Sequence, residues 1–312
     1  MFSRLLALAR TIRISRTTKI YLLSWAAIAL LSIVTFILAG YRGFTFAAPE
    51  ASFIAVAVLI LISLLFFSVF GRQSWIAPMI GFLALWLATR PVGFTFTYLL
   101  ASLRLPLIDN TLERFDKALR FDWLIWYHYV NAHAGIKFIL FAAYISMSLQ
   151  ILFSIIYFSH RRENHRNNEM WWTCAIALVI TTIVSGILPA VGTFEYYGVV
   201  DTLHGVHLHD LHALRDGTLA NFSADHMKGI ITLPSYHTVV TILLIYIYRD
   251  QGRMLAIMLP LNVVQLVAIP SEGGHYLADI VAGGVVAVLA IWIVQHAGLG
   301  EKAASAPKQQ PA

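Results

Sequence analysis

Eight stretches of this chain run hydrophobic with almost no charged interruption: residues 20–40, 51–70, 74–102, 136–158, 171–191, 233–248, 254–269 and 277–295. A helix of about 20 apolar residues crosses a bilayer core, with tolerance for tilt, so the pattern predicts an all-α polytopic membrane bundle of about eight transmembrane helices. The sixth and seventh stretches are short, as helices beside a water-filled site can be, because their backbone need not face lipid. Arg4, Arg10, Arg13 and Arg16 precede the first stretch as they would in a signal peptide. Its apolar part is too long for one and further spans follow, so it reads as a retained helix.

Between the third and fourth stretches, Leu112, Phe115, Leu119, Trp123 and Trp126 recur at helical spacing, with Glu113, Asp116, Lys117 and Arg120 on the other side. This predicts a helix lying on the outer membrane surface, apolar side inward, with Trp123, Trp126, Tyr127 and Tyr129 at headgroup depth. A solvated connector without a role in substrate access fits the same pattern.

Composition agrees with a membrane protein: 59% of residues are hydrophobic, 12% are charged, and the mean hydropathy is +0.73. The single cysteine, Cys174, lies in an apolar run, which excludes a disulfide framework and a cysteine metal site. A net charge of +6 raises the question of nucleic acid. The basic residues fall in short inter-span loops, where membrane orientation accounts for them, and nucleic acid is discounted as a partner. Lys and Arg are more numerous in the N-terminal tail, the loop at residues 161–166, the turn at 249–253 and the C-terminal tail than in the alternate loops. This predicts cytoplasmic termini, in a bacterial inner membrane, with residues 192–232 outside.

That outer segment, Gly192 to Thr232, is the longest polar stretch. It carries His204, His207, His209, Asp210, His212, Arg215, Asp216, Asp225, His226 and Lys228. His207, His209 and His212 invite a zinc reading, but they share no firm register and no HExxH pattern accompanies them. The expectation is a solvated, partly ordered substrate loop with no metal and no cofactor.

Candidate chemistry lies in Pro234-Ser235-Tyr236-His237 and in His275 with Asp279 four residues on. Each sits where a span meets a polar turn, and one hairpin of spans separates them, so both histidines reach the same face. Asp279 one helical turn beyond His275 can hydrogen-bond one ring nitrogen and leave the other directed for attack on phosphorus. His237 can then protonate the departing oxygen and afterwards activate water or an alcohol. Ser235 and the amides of the helix that follows Pro234 are donors for phosphate oxygens. A His-x-x-x-Asp pair alone arises by chance in many helices; two motifs on one face carry the argument.

Pro-Ser-Tyr-His followed by His-Tyr-Leu-Ala-Asp-Ile-Val-Ala-Gly resembles the second and third signature motifs of the type 2 phosphatidic acid phosphatase superfamily. Within it, Leu112 to Trp123, Leu188-Pro189-Ala190, Leu214-Arg215-Asp216-Gly217 and Gly229-Ile230-Ile231-Thr232 resemble the branch containing the fungal inositol phosphorylceramide synthases. The specific likeness covers about Gly186 to Gly284. It implies metal-independent phosphotransfer with His275 as nucleophile, Asp279 as its orienting carboxylate and His237 as acid. Three positions depart from the motifs: Leu83 stands where a Lys precedes Arg90-Pro91, Ser271 is followed by Glu272 rather than Arg, and Tyr236 replaces a Gly. Phosphate binding then falls to Ser235 with Arg215 and Lys228, the cations nearest in sequence, each of which also reads as a solvated loop charge.

The chain thus divides into N-terminal helices with the surface helix (1–135), a catalytic membrane core (136–296) and a disordered tail (297–312). The expected function is phosphohydrolase or phosphotransferase action on a lipid-linked phosphate, with membrane lipids as surroundings and with the acceptor, water or an alcohol such as inositol, left open. The alternative is a non-catalytic lipid-binding protein or a transporter, for which inverted repeats or matched Gly/Pro-broken helices would be the sign. The sequence has neither.

Overall fold

The computed structural model describes residues 15–46, 51–199, 206–222 and 227–300. Arg4, Arg10, Arg13, His204, Asp225, His226, the side chain of His207 and the tail beyond residue 300 lie outside them.

Among the described residues six helices are long and apolar enough to cross a membrane: α1 (Arg16–Tyr41), α2 (Ala51–Phe70), α3 (Ile76–Ala101), α8 (Asn164–Ile187), α12 (Gly252–Gly273) and α13 (Leu277–His296). The stretch at 136–158 is a broken span: α6 (Ala134–Ile145) and α7 (Met147–His160) meet at Ser146 with a 44° bend. The sixth stretch holds only α11 (Tyr236–Tyr246), which starts after the cis Leu233–Pro234 bond. The eight hydrophobic stretches therefore become six whole spans, one bent span and one short buried helix. The shorter elements are α4 (Asp109–Ala118), α5 (Trp123–Ala132), α9 (Thr193–Tyr196) and α10 (Val206–Asp216). The 192–232 segment is more ordered than a solvated loop. It contains α9 and α10, and Asn221–Phe222 pairs in parallel with Thr45–Phe46.

Lipid tails are as apolar as Leu, so helices in a bilayer associate through close packing and interhelical hydrogen bonds rather than through the hydrophobic effect. Both are present. Phe82, Leu85, Phe158, Trp171, Leu243 and Tyr248 pack α3, α7, α8 and α11 together with the segment after α11. Gln150 Nε2 donates to Gln265 Oε1 at 3.0 Å, and Asn262 Nδ2 to Gln150 Oε1 at 2.8 Å, which fastens α7 to α12. By contrast α2 leans on α3, and none of its apolar window is buried in the protein.

One end of the bundle gathers the helix ends rich in cations. Arg16 Nη2 donates to Gly298 O (3.2 Å), Asn168 Nδ2 to Thr17 O (2.9 Å) and Arg249 Nη2 to Glu169 Oε1 (2.8 Å). His275 lies at the start of α13, whose far end joins this cluster.

The segment after α3 differs from the expected surface helix. It breaks into α4 and α5 at Arg120, which has a left-handed backbone (φ 58°), and Asp122 caps α5 by accepting from Ile125 N at 3.1 Å. Its polarity is also inverted: Asp109, Glu113 and Asp116 are buried, whereas Phe115 and Leu119 are exposed. The carboxylates turn inward because main-chain donors await them. Asp116 accepts from Leu277 N (2.8 Å) and Ala278 N (2.9 Å), the first two amides of α13. Asp109 accepts from Val191 N, Gly192 N and Tyr276 Oη at 3.0–3.1 Å. Trp123, placed by its sequence at headgroup depth, is fully buried: its Nε1 donates to Pro270 O at 2.8 Å, and its ring stacks on Tyr127 and Tyr197.

Candidate active site

The turn between α12 and α13 delivers the first histidine. Gly274 ends α12 in the left-handed region (φ 64°), which glycine enters without steric cost. Opposite it, Gly192 (φ 90°) comes so near that a Cβ there would lie 2.9 Å from Gly274 O, and Thr193 N donates to that same carbonyl at 2.9 Å. His275 and Tyr276 follow, and α13 begins at Leu277. The helix starts two residues later than His275, yet the four-residue spacing works: His275 Nδ1 lies 3.2 Å from Asp279 Oδ2, which also accepts from Tyr276 N at 2.9 Å. Both side chains are buried. Burial pushes the His275 imidazole down to about 4, against the opposing pull of a hydrogen bond with the Thr232 backbone. The ring is therefore neutral at neutral pH, the form that carries a free lone pair.

His237 comes from the first turn of α11. Ser235 is the N-cap, with an extended backbone and its hydroxyl accepting from Thr238 N at 3.3 Å, and its own amide donates to Asp279 O at 3.0 Å. This ties the start of α11 to the start of α13. The His237 and His275 rings are 6.3 Å apart, centre to centre. Tyr144 of α6 stacks on His237, with centroids 4.7 Å apart and planes 20° from parallel.

All three rings line a cavity of about 570 Å³. Near the histidines its wall is Thr232, Glu272 and the Gly273–Gly274 turn; toward the middle of the bilayer it is Trp86, Met147 and Leu178. Arg90, on the same face of α3 as Trp86 and Phe94, supplies the one Lys or Arg side chain in the lining among the described residues, and its guanidinium sits 5.4 Å from the Phe94 ring centre.

The sequence-expected residues divide. His275, Asp279 and His237 come together. Ser235 is at the same helix start, but it is fully buried, its hydroxyl serves the cap, and it is not in the cavity wall. Arg215 does not reach the cavity: its Nη2 donates to Leu105 O at 2.9 Å, in the loop that follows α3. Lys228 is also outside the lining, and its amide donates to Tyr98 Oη at 3.0 Å. In the histidine-rich segment, His209 is exposed 3.4 Å from Asp210, and His212 Nε2 is 2.8 Å from Glu195. Among the described residues no group of three or more His, Cys, Asp or Glu side chains is arranged to hold a metal ion.

A superfamily is defined by this architecture and by the two histidine-bearing helix starts. The chain matches the family model of the PAP2 superfamily over residues 110–293, more than half its length, and it belongs to that superfamily. No curated protein and no solved structure matches it. Membership makes it a phosphatase-type membrane enzyme acting on phosphate esters. The match begins inside α4, one residue after Asp109, so it includes Asp116, the buried carboxylate that holds the first two amides of α13.

Proposed function

We propose that this protein transfers the phosphoryl group of a lipid-linked phosphate, in a metal-independent reaction that passes through a phosphohistidine. The observation that carries the reading is the neutral, buried His275, held through Nδ1 by Asp279 and 6.3 Å from His237 in one cavity wall. Nε2 of His275 attacks phosphorus, the ester P–O bond breaks, and the departing oxygen takes a proton from His237. Neutral His237 then accepts a proton from water or an alcohol as that oxygen attacks the phosphohistidine, which restores His275 and releases phosphate or a new ester. The apolar wall at Trp86, Phe94, Met147 and Leu178 favours a substrate whose alcohol part is a hydrocarbon chain. Inositol as acceptor, and with it the inositol phosphorylceramide synthase-like branch, is the finer form of this proposal.

Arg90 takes the phosphate-binding role in this reading, because Arg215 is engaged elsewhere. A guanidinium offers a planar two-donor fork that Lys cannot reproduce. Arg90→Ala and Arg90→Lys should therefore both lower kcat/KM, by roughly ten- to a thousandfold. Arg215→Ala should leave catalysis within about threefold of wild type, since surface contacts of this kind contribute little. A reversed order of damage would return the role to Arg215.

The decisive experiment incubates detergent-purified protein, in EDTA, with phosphatidic acid, an isoprenyl diphosphate and phosphatidylinositol, each with and without inositol, and identifies the products. Phosphate release or transfer from at least one is expected. Silence on all three favours the binding-protein or transporter reading, and loss of activity on chelation that zinc restores refutes metal independence. We further propose that the site opens to the outside of a bacterial inner membrane. Thr218 is exposed on the site's end of the bundle and the one native cysteine, Cys174, is buried. Thr218→Cys should thus react with a membrane-impermeant thiol reagent in intact cells, and labelling only after lysis would reverse the orientation.

A further inference from the structure

His237 has two aromatic neighbours that come from separate parts of the chain. Tyr144, the penultimate residue of α6, covers one face of its imidazole, and the His275 ring follows at 6.3 Å. With the phenol stacked on it, His237 cannot turn about its side-chain bonds without displacing Tyr144. The hydroxyl end of that phenol is directed at the catalytic turn. A Cβ at Gly273 would lie 3.0 Å from Tyr144 Oη and 2.8 Å from His275 Cδ2, so the hydroxyl and the nucleophile's ring flank one small volume that the absence of a side chain leaves open. Tyr144 lines the cavity, and its hydroxyl makes no hydrogen bond among the described residues. A hydroxyl that faces the cavity and has no protein partner is free to donate to an acceptor on a bound ligand. Glu272 in the same wall brings an acceptor rather than a donor, and the Ser235 hydroxyl is committed to its cap.

We infer that Tyr144 is a phosphoryl-binding and positioning residue of this site: its hydroxyl donates a hydrogen bond to a non-bridging phosphoryl oxygen beside His275, and its ring fixes the angle from which His237 delivers a proton. The inference rests on the phosphohistidine reading above. It separates two contributions of one side chain, and the two have different signatures. Tyr144→Phe removes the hydroxyl and keeps the stack, whereas Tyr144→Leu removes both.

The test uses the full chain in detergent, with whichever substrate the product screen identifies and with orthovanadate as a phosphate-shaped inhibitor. Tyr144→Phe should lower kcat/KM and weaken orthovanadate inhibition by similar factors, roughly ten- to a hundredfold, with the shape of the pH–rate profile kept. Tyr144→Leu should add a displacement of the acidic or basic limb of that profile, because His237 is no longer held. Unchanged melting temperature in Tyr144→Phe, which is nearly isosteric, shows that the fold is intact. If wild type forms a phosphohistidine while Tyr144→Phe keeps wild-type kcat/KM and orthovanadate affinity, this inference is overturned and the reaction reading stands. If His275→Ala remains active, or orthovanadate fails to inhibit wild type, the reaction reading falls and takes this inference with it.

Discussion

His275→Ala should abolish turnover, with a fall in kcat of at least roughly 10⁴-fold, because it removes the attacking atom itself. Acid-sensitive, base-stable label should accumulate on wild-type protein quenched during turnover of a substrate labelled in its phosphate, and it should be missing from the variant. Asp279→Asn tests the orientation of the ring. Its Oδ2 holds both the His275 Nδ1 and the Tyr276 amide, so the amide variant can present an N–H where an acceptor is required. A loss of roughly 10²- to 10⁴-fold in kcat with KM nearly unchanged is expected, since the carboxylate fixes the tautomer and stabilises the charged ring without touching substrate. Near-normal turnover in His275→Ala, or label that survives acid and not base, rules out the covalent route.

The second large effect is expected far away in sequence, at Asp116. This fully buried carboxylate accepts from the amides of Leu277 and Ala278, one oxygen to each, immediately after the nucleophile. Asp116→Ala leaves both donors without a partner, at about 1–3 kcal/mol for each orphaned group, and frees the start of α13 to shift. The melting temperature should drop by several degrees and kcat by roughly tenfold or more, since misplacement of a catalytic group by an ångström costs on that order or more. Asp116→Asn keeps one acceptor oxygen and should fall between wild type and Asp116→Ala in both measurements. Thermal unfolding in detergent together with steady-state kinetics decides the matter: wild-type values for Asp116→Ala would mean that the brace is dispensable.

The residues of the histidine pair were legible because their constraint is local. Four residues separate His275 from Asp279, and any helix beginning nearby brings such a pair together; a cap signal at Ser235 likewise announces the start of α11. The all-helical membrane class was legible from hydropathy alone, but the count was not: the stretch at 233–248 holds only the short buried α11, and the break at Ser146 was hidden, since neither Ile145 nor Met147 interrupts the apolar run. Other features depend on groups distant in sequence. The carboxylates of α4 read as a solvated side because the rule for amphipathic helices supposes water as their only partner, whereas their donors lie roughly 80 and 160 residues further along. Arg215 was selected by nearness in the chain, and it bonds the Leu105 carbonyl in the loop after α3 instead. Arg90 was visible as a charge inside a span, which at membrane depth is itself a functional signal, but only the fold shows it beside the cavity. Tyr144 gave no signal: one aromatic residue within an apolar stretch has the same appearance whether it faces lipid or an imidazole.

The meeting of Gly192 with Gly274 bears on how variation in this protein should be read. Where the two backbones touch, the carbonyl of Gly274 receives the Thr193 amide, and a methyl group on Gly274 would fall 2.3 Å from the Phe194 ring. The distance between the outer segment and the catalytic turn is therefore set by the Gly192–Gly274 backbone contact and by the Phe194 ring packed against it, which leave no space for an added atom. In a saturation library these two positions will tolerate as little as the histidines do, although neither bears a group that reacts, binds or ionises. Inactivity there reports lost spacing, and a map of essential positions drawn from activity alone would assign chemistry to two residues whose entire contribution is the room they leave.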